Sequence, residues 1–186
     1  MKQKPGIVII IIMAWVGVSF VLVIGYLGFD FISVASNSMK HENETLFVEF
    51  WNKRGCNITC ARGFPIPYGF QGGDLLIQQR TSEYKIGDVL GYKSGCYCED
   101  EENEKCQCYS FLIHRLLDMN ETGAFFMGDN ILWMNDNDIS REAVDKKFIT
   151  GKIIFKIPKL GLVRALINCF GTGCDSVDCI INGNCI

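Results

Sequence analysis

The chain has 186 residues, enough for one domain with its own core rather than two. Its formal net charge is −3, which excludes the basic face that binding to nucleic-acid phosphates requires. The charges are unevenly spread, with none between Lys4 and Asp30. As a helix rising ~1.5 Å per residue, residues 5–29 reach about 37 Å, against a bilayer hydrocarbon core of ~30 Å. A tilted spanning helix is expected. A cleaved secretory signal peptide also begins with basic residues, here Lys2 and Lys4, and Ser33-Val34-Ala35 could serve as its cleavage site. Its apolar part is usually only ~7–15 residues long, so the length favours an uncleaved anchor. In either case the basic start predicts a cytoplasmic N-terminus and an exported remainder.

Residues 49–73 form an aromatic insert without clear periodicity, containing Phe50, Trp51, Phe64, Pro65, Pro67, Tyr68 and Phe70 and ending in Gly72-Gly73. Strands are expected over 74–79 and 88–93, each introduced by a Gly-Asp turn signal. Residues 94–109 hold an acidic, Cys-rich loop with Glu99-Asp100-Glu101-Glu102 as a solvated tip. Residues 109–118 and 123–127 suggest a hairpin around Asn120, 148–157 a last strand, and 160–170 the start of a helix before a Cys-rich tail. Sequons at Asn43, Asn57 and Asn120 are compatible with export.

Ten cysteines in an exported chain are expected to form disulfides. The alternative is a four-thiolate zinc site built from Cys96, Cys98, Cys106 and Cys108, although one intervening residue per pair is tighter than usual zinc spacing.

Ser38 lies nine residues beyond Phe29, close to the expected outer membrane surface. A serine becomes a useful nucleophile only when a base takes its proton. The chain has two histidines. His41, in a polar stretch, has the setting of an ordinary surface residue. His114 sits in the apolar run Phe111-Leu112-Ile113-His114-Arg115-Leu116-Leu117, where a lone histidine is by itself more often structural than catalytic.

The order of several motifs is more informative. Ser36-Asn37-Ser38-Met39 follows the apolar segment and Gly73-Asp74-Leu75-Leu76-Ile77 opens a strand. Then come His114-Arg115, Gly128-Asp129-Asn130, the nearby Asp136 and Asp138, Gly151-Lys152-Ile153-Ile154 and Ile157-Pro158-Lys159-Leu160-Gly161. In this order the chain resembles type I signal peptidases over roughly residues 7–165. The archaeal and endoplasmic-reticulum branch is the most similar, because it carries histidine where most bacterial members carry lysine.

The resemblance implies a mainly β catalytic domain on a single N-terminal transmembrane helix: anchor 1–30, catalytic domain 31–160, Cys-rich tail 161–186. It implies a serine endopeptidase that removes signal peptides from exported preproteins. Ser38 matches the nucleophile and His114 the base. Ser36 matches an oxyanion-hole donor beside the Ser38 N–H, and Met39 a residue at the substrate pocket. Asp136 matches the acid, with Asp138 and Asp129 as alternatives. No metal or organic cofactor is implied. The implied partners are preprotein signal peptides, the lipid bilayer and the protein-export machinery, not nucleic acid.

Three features depart from the family pattern. His41 stands where a proline is usual, the stretch from Ser38 to Gly73 is long, and no second apolar helix is evident after Phe170. The alternative reading is a non-enzymatic, Cys-rich, membrane-anchored or secreted binding domain.

Overall fold

The computed structural model describes residues 5–41, 43–98, 106–108, 110–130 and 143–161. Helix α1 (Pro5–Tyr26) is uninterrupted. Its segment Ile9–Tyr26 is long and apolar enough to cross a membrane and is not buried against the rest of the chain. The helix ends at Leu27-Gly28, where Gly28 adopts φ +83°, a conformation that costs glycine little. The chain then enters β1 (Phe29–Ser33), a strand not expected from the sequence.

Five further strands complete an antiparallel sheet: β2 (Leu75–Gln79), β3 (Val89–Ser94), β6 (Ser110–Met119), β7 (Ala124–Met127) and β8 (Ile149–Ile157). The strand order is β1-β2-β8-β3-β6-β7. A small separate ribbon pairs β4 (Tyr97–Cys98) with β5 (Cys106–Gln107). The expected hairpin is present, with β6 paired to β7 and Asn120 Oδ1 accepting from the N–H groups of Thr122 and Gly123. Side chains alternate across a strand, so β6 serves two faces. Ile113 packs against the cluster of Val34, Met39, Phe70, Leu76, Val89 and Ile153. Leu112 and Leu116 belong with Leu90, Tyr92, Phe126 and Ile149 on the other face.

The irregular insert expected at 49–73 is corrected in part: this region begins within α2 (Glu44–Asn52) and contains α3 (Ile58–Arg62). Asn43 caps α2 by accepting from Leu46 N–H at 3.2 Å, and Asn57 caps α3 by accepting from Cys60 N–H at 3.0 Å. Such caps satisfy amides that a helix start leaves unpaired. Phe47 and Trp51, one turn apart, are the buried side chains of α2. A Cys56–Cys60 disulfide staples the entry to α3. A second disulfide joins Cys96 to Cys108 across the ribbon. This corrects the zinc alternative, since two of the four thiolates it needs are consumed. The acidic tip at 99–102, the helix expected from 160 beyond Gly161, and the Cys-rich tail lie outside the described residues.

Candidate active site

The loop carrying Ser38 is fixed at both ends. Its entry continues the β1–β2 pairing: Val34 N–H donates to Asp74 O at 3.0 Å, and Gly73 N–H to Val34 O at 2.9 Å. Asn37 then accepts at its Oδ1 from Gly72 N–H at 2.9 Å and at its carbonyl from Lys40 N–H at 3.0 Å. This closes a turn around Ser38 and Met39. Ser38 is half-buried, with its Oγ 3.3 Å from Ser36 Oγ. Met39 is fully buried in the core cluster and anchors the loop.

Gly69 allows the segment leading to Phe70, whose N–H donates to Met39 O at 2.9 Å, to lie close to the loop. Gly69 sits at φ +60°, and a Cβ there would fall 2.0 Å from Met39 O and 2.8 Å from His41 Cδ2. A side chain at position 69 is therefore excluded by both conformation and space.

Gly128-Asp129-Asn130, directly after β7, closes on the same loop. Asn130 N–H donates to Ser38 O at 2.9 Å, and Asn130 Nδ2 donates to Asn37 O at 3.4 Å. Asp129 N–H lies 3.3 Å from Met39 Sδ. Beneath this contact is a buried charge cluster. Arg115 of β6 grips Asp129 with Nε at 2.8 Å and Nη2 at 2.5 Å, and both side chains are sealed from solvent. The remaining guanidinium donors reach the carbonyls of Gly87, Pro65 and Ile66 at 2.7–3.1 Å. A two-pronged, fully hydrogen-bonded arginine is the form in which a buried charge pair is tolerated.

His41 completes the cluster, with Nε2 2.8 Å from Asp129 Oδ2 and its ring 4.3 Å from that of Phe47. This corrects the expectation of an ordinary surface histidine, since its side chain is only 6% exposed. The surrounding sequence is polar, and the partners that bury it are distant in the chain, so local composition could not reveal this. Burial alone would push the Asp129 carboxyl up. The charge and hydrogen bonds of Arg115, helped by His41, outweigh it and hold the carboxyl below its ordinary range.

His114 and Arg115 are consecutive in β6 and so face opposite sides of the sheet. His114 lies on the Leu112–Leu116 side, where its Nδ1 is 2.9 Å from the Tyr92 hydroxyl. Burial lowers the imidazole pKa, and the charge of Asp129 partly opposes that shift. Among the described residues, Ser38 and His114 are not hydrogen-bonded to one another: the Ser38 hydroxyl meets Ser36, and the imidazole meets Tyr92. Of the acids expected from the sequence, Asp129 is committed to Arg115 and His41, while Asp136 and Asp138 lie outside the described residues. The described residues contain no cluster of three metal-ligating side chains.

Ser36, Ser38, Met39, Asp129 and Asn130 are thus drawn together from two distant segments, and Tyr92 and His41 are the participants that the sequence did not suggest. No family model, curated protein or solved structure matches this chain.

Proposed function

We propose that this protein is a membrane-anchored serine endopeptidase that removes N-terminal signal peptides from exported preproteins. The observation carrying the reading is the mutual fixation of two motifs the resemblance pairs. The Ser36–Met39 loop is held to the Gly128–Asn130 turn by the Asn130 N–H to Ser38 O bond. That loop follows the apolar helix by a single strand. A substrate whose apolar segment lies in the bilayer presents its cut site near the membrane surface, within reach of a nucleophile tethered there. The N-terminus is cytoplasmic in this reading, as Lys2 and Lys4 suggest, and the sheet lies on the opposite side.

In the proposed reaction Ser38 Oγ attacks the carbonyl carbon of the scissile bond and gives its proton to His114 Nε2. The carbonyl electrons move onto oxygen, which the Ser38 N–H and the Ser36 hydroxyl stabilise. Collapse breaks the C–N bond, and the departing amine takes the proton from His114. Water then attacks the acyl-serine, giving one proton to His114, which returns it to Ser38 as the ester breaks. The step requires His114 Nε2 to reach Ser38 Oγ in the substrate complex, although His114 faces the other side of β6 from Arg115 and the turn that holds the Ser38 loop. Asp136, with Asp138 next, is proposed as the acid whose charge favours the imidazolium, while the imidazole Nδ1 itself faces Tyr92.

A second reading assigns the base to His41, because it is bonded to a buried carboxylate and lies three residues from Ser38. Its Nδ1 is buried and, among the described residues, has no hydrogen-bond partner.

Purified full-length chain in detergent should cut a preprotein after a small residue such as Ala, as read by gel shift and N-terminal sequencing. Ser38→Ala and His114→Ala should give no product, and His41→Ala should retain cleavage. Absence of wild-type cleavage, or equal cleavage by Ser38→Ala, rejects the reading. Loss of activity in His41→Ala alone transfers the base to His41.

A further inference from the structure

We propose that Tyr92 is the positioning residue for His114, accepting the Nδ1–H at its hydroxyl oxygen and so leaving the Nε2 lone pair free to act as the base. The inference rests on the peptidase reading for its catalytic meaning, but the contact stands on geometry alone.

Three observations support the pairing, and the direction of its hydrogen bond is what the test below decides. First, the register places the two side chains together. Leu90 pairs with His114 and Tyr92 with Leu112, so Tyr92 and His114 are diagonal neighbours on one face, close enough for long side chains to meet. The resulting Oη–Nδ1 distance is 2.9 Å. Second, Tyr92 is rigid. Its backbone pairs with β6 on one side and β8 on the other. Its ring stacks on Phe126, with centroids 4.1 Å apart and planes 9° apart, and the residue is only 3% exposed. A hydroxyl on such a ring offers His114 a fixed point, whereas an exposed partner would have to be ordered at each turnover. Third, the partner is neutral. Burial pushes the Tyr92 hydroxyl up to about 12, so it keeps its proton at any working pH.

An orienting carboxylate would stabilise the imidazolium with a full charge. A phenol oxygen supplies only a dipole, so it fixes direction and tautomer while adding little basicity. Among the described residues, Asp129 lies near enough for its field to favour the protonated ring, and Arg115 neutralises Asp129.

The test uses full-length protein in micelles, with His114 followed by 15N and 13C NMR beside steady-state cleavage. Wild type should show the Nδ1–H tautomer in its neutral state. Tyr92→Phe keeps the ring stacked on Phe126 and removes only the hydroxyl. The imidazolium then loses an acceptor in a buried site, so the His114 pKa should fall further and the neutral ring should shift toward Nε2–H. The kcat should drop by about tenfold with KM nearly unchanged, a fraction of the roughly 10²- to 10⁴-fold that a positioned base supplies.

An Nε2–H tautomer in wild type overturns the proposal without any variant. So does an unchanged or raised His114 pKa in Tyr92→Phe, or unaltered kcat in an enzyme that cleaves. If wild type shows no cleavage while Tyr92→Phe still moves the tautomer and pKa as stated, the peptidase reading fails and the Tyr92–His114 contact stands.

Discussion

Asp129 is one carboxylate, wholly buried and shared by Arg115 and His41. Removing one partner of a buried pair leaves the other charge uncompensated. Asp129→Ala should therefore destabilise the fold by about 3–5 kcal/mol, measured as a lowered midpoint of unfolding. The sign of the pH dependence follows from the carboxyl being held below its ordinary value of 3.8. The stabilisation is present in full above that value and is lost as pH falls through the lower folded value. A melting temperature that declines between pH 7 and 5 because of this group would contradict the account.

The His114 pKa is lowered as well, by burial, which favours the neutral form of the imidazole that a base requires. Cleavage should persist on acidification until below the free-imidazole value of about 6.5 and then fall. An acid limb centred well above that value would point to a different base. At this scale the sequence was only partly informative. Ser38 and His114 were singled out by motif order, but the burial of His41 and the Tyr92 contact depend on segments far apart in the chain.

Among the elements, strands β2, β3, β6, β7 and β8 were legible, while β1, the small ribbon and the helices of the insert were not. The strands are short apolar runs opened by Gly73-Asp74 and Gly87-Asp88, and Asp74 and Asp88 each accept a local backbone N–H at 3.1 and 2.9 Å. Helices α2 and α3 together span 44–62 with two cysteines between aromatic residues, too short and mixed to show a 3.6-residue period. The available signal is the pair of caps, Asn43 and Asn57, which in the sequence read only as sequons. Trp51 joins the insert to the sheet: it meets Phe64 edge-on at 4.7 Å and clusters with Leu117 and Met127. Trp51→Ala should cost about 3–5 kcal/mol, read from denaturant unfolding, and a loss under 1 kcal/mol would show that the insert is not coupled to the sheet. For the ribbon, non-reducing peptide mapping should recover the Cys96–Cys108 linkage. Free thiols at both positions with stoichiometric zinc would contradict it.

At the scale of the whole molecule, an apolar helix leads through one strand and one loop to Ser38, while β6 carries both Arg115, which fixes the Gly128–Asn130 turn, and His114 on its other face. The apolar helix was visible in the charge distribution and the main strands in short apolar runs beside turn signals, whereas the closing of the turn onto the Ser38 loop needed the fold. If α1 spans a bilayer, the chain should stay with membranes after alkaline carbonate extraction, and release into the supernatant would exclude a spanning anchor. The central claim is that Ser38 is an activated nucleophile, and covalent trapping tests it most directly. Full-length protein would be incubated with a peptide phosphonate ending in Ala, and the adduct mapped by mass spectrometry. The account predicts a single adduct on Ser38, formed much more slowly in His114→Ala; no adduct, or one on another residue with Ser38 unmodified, would contradict it.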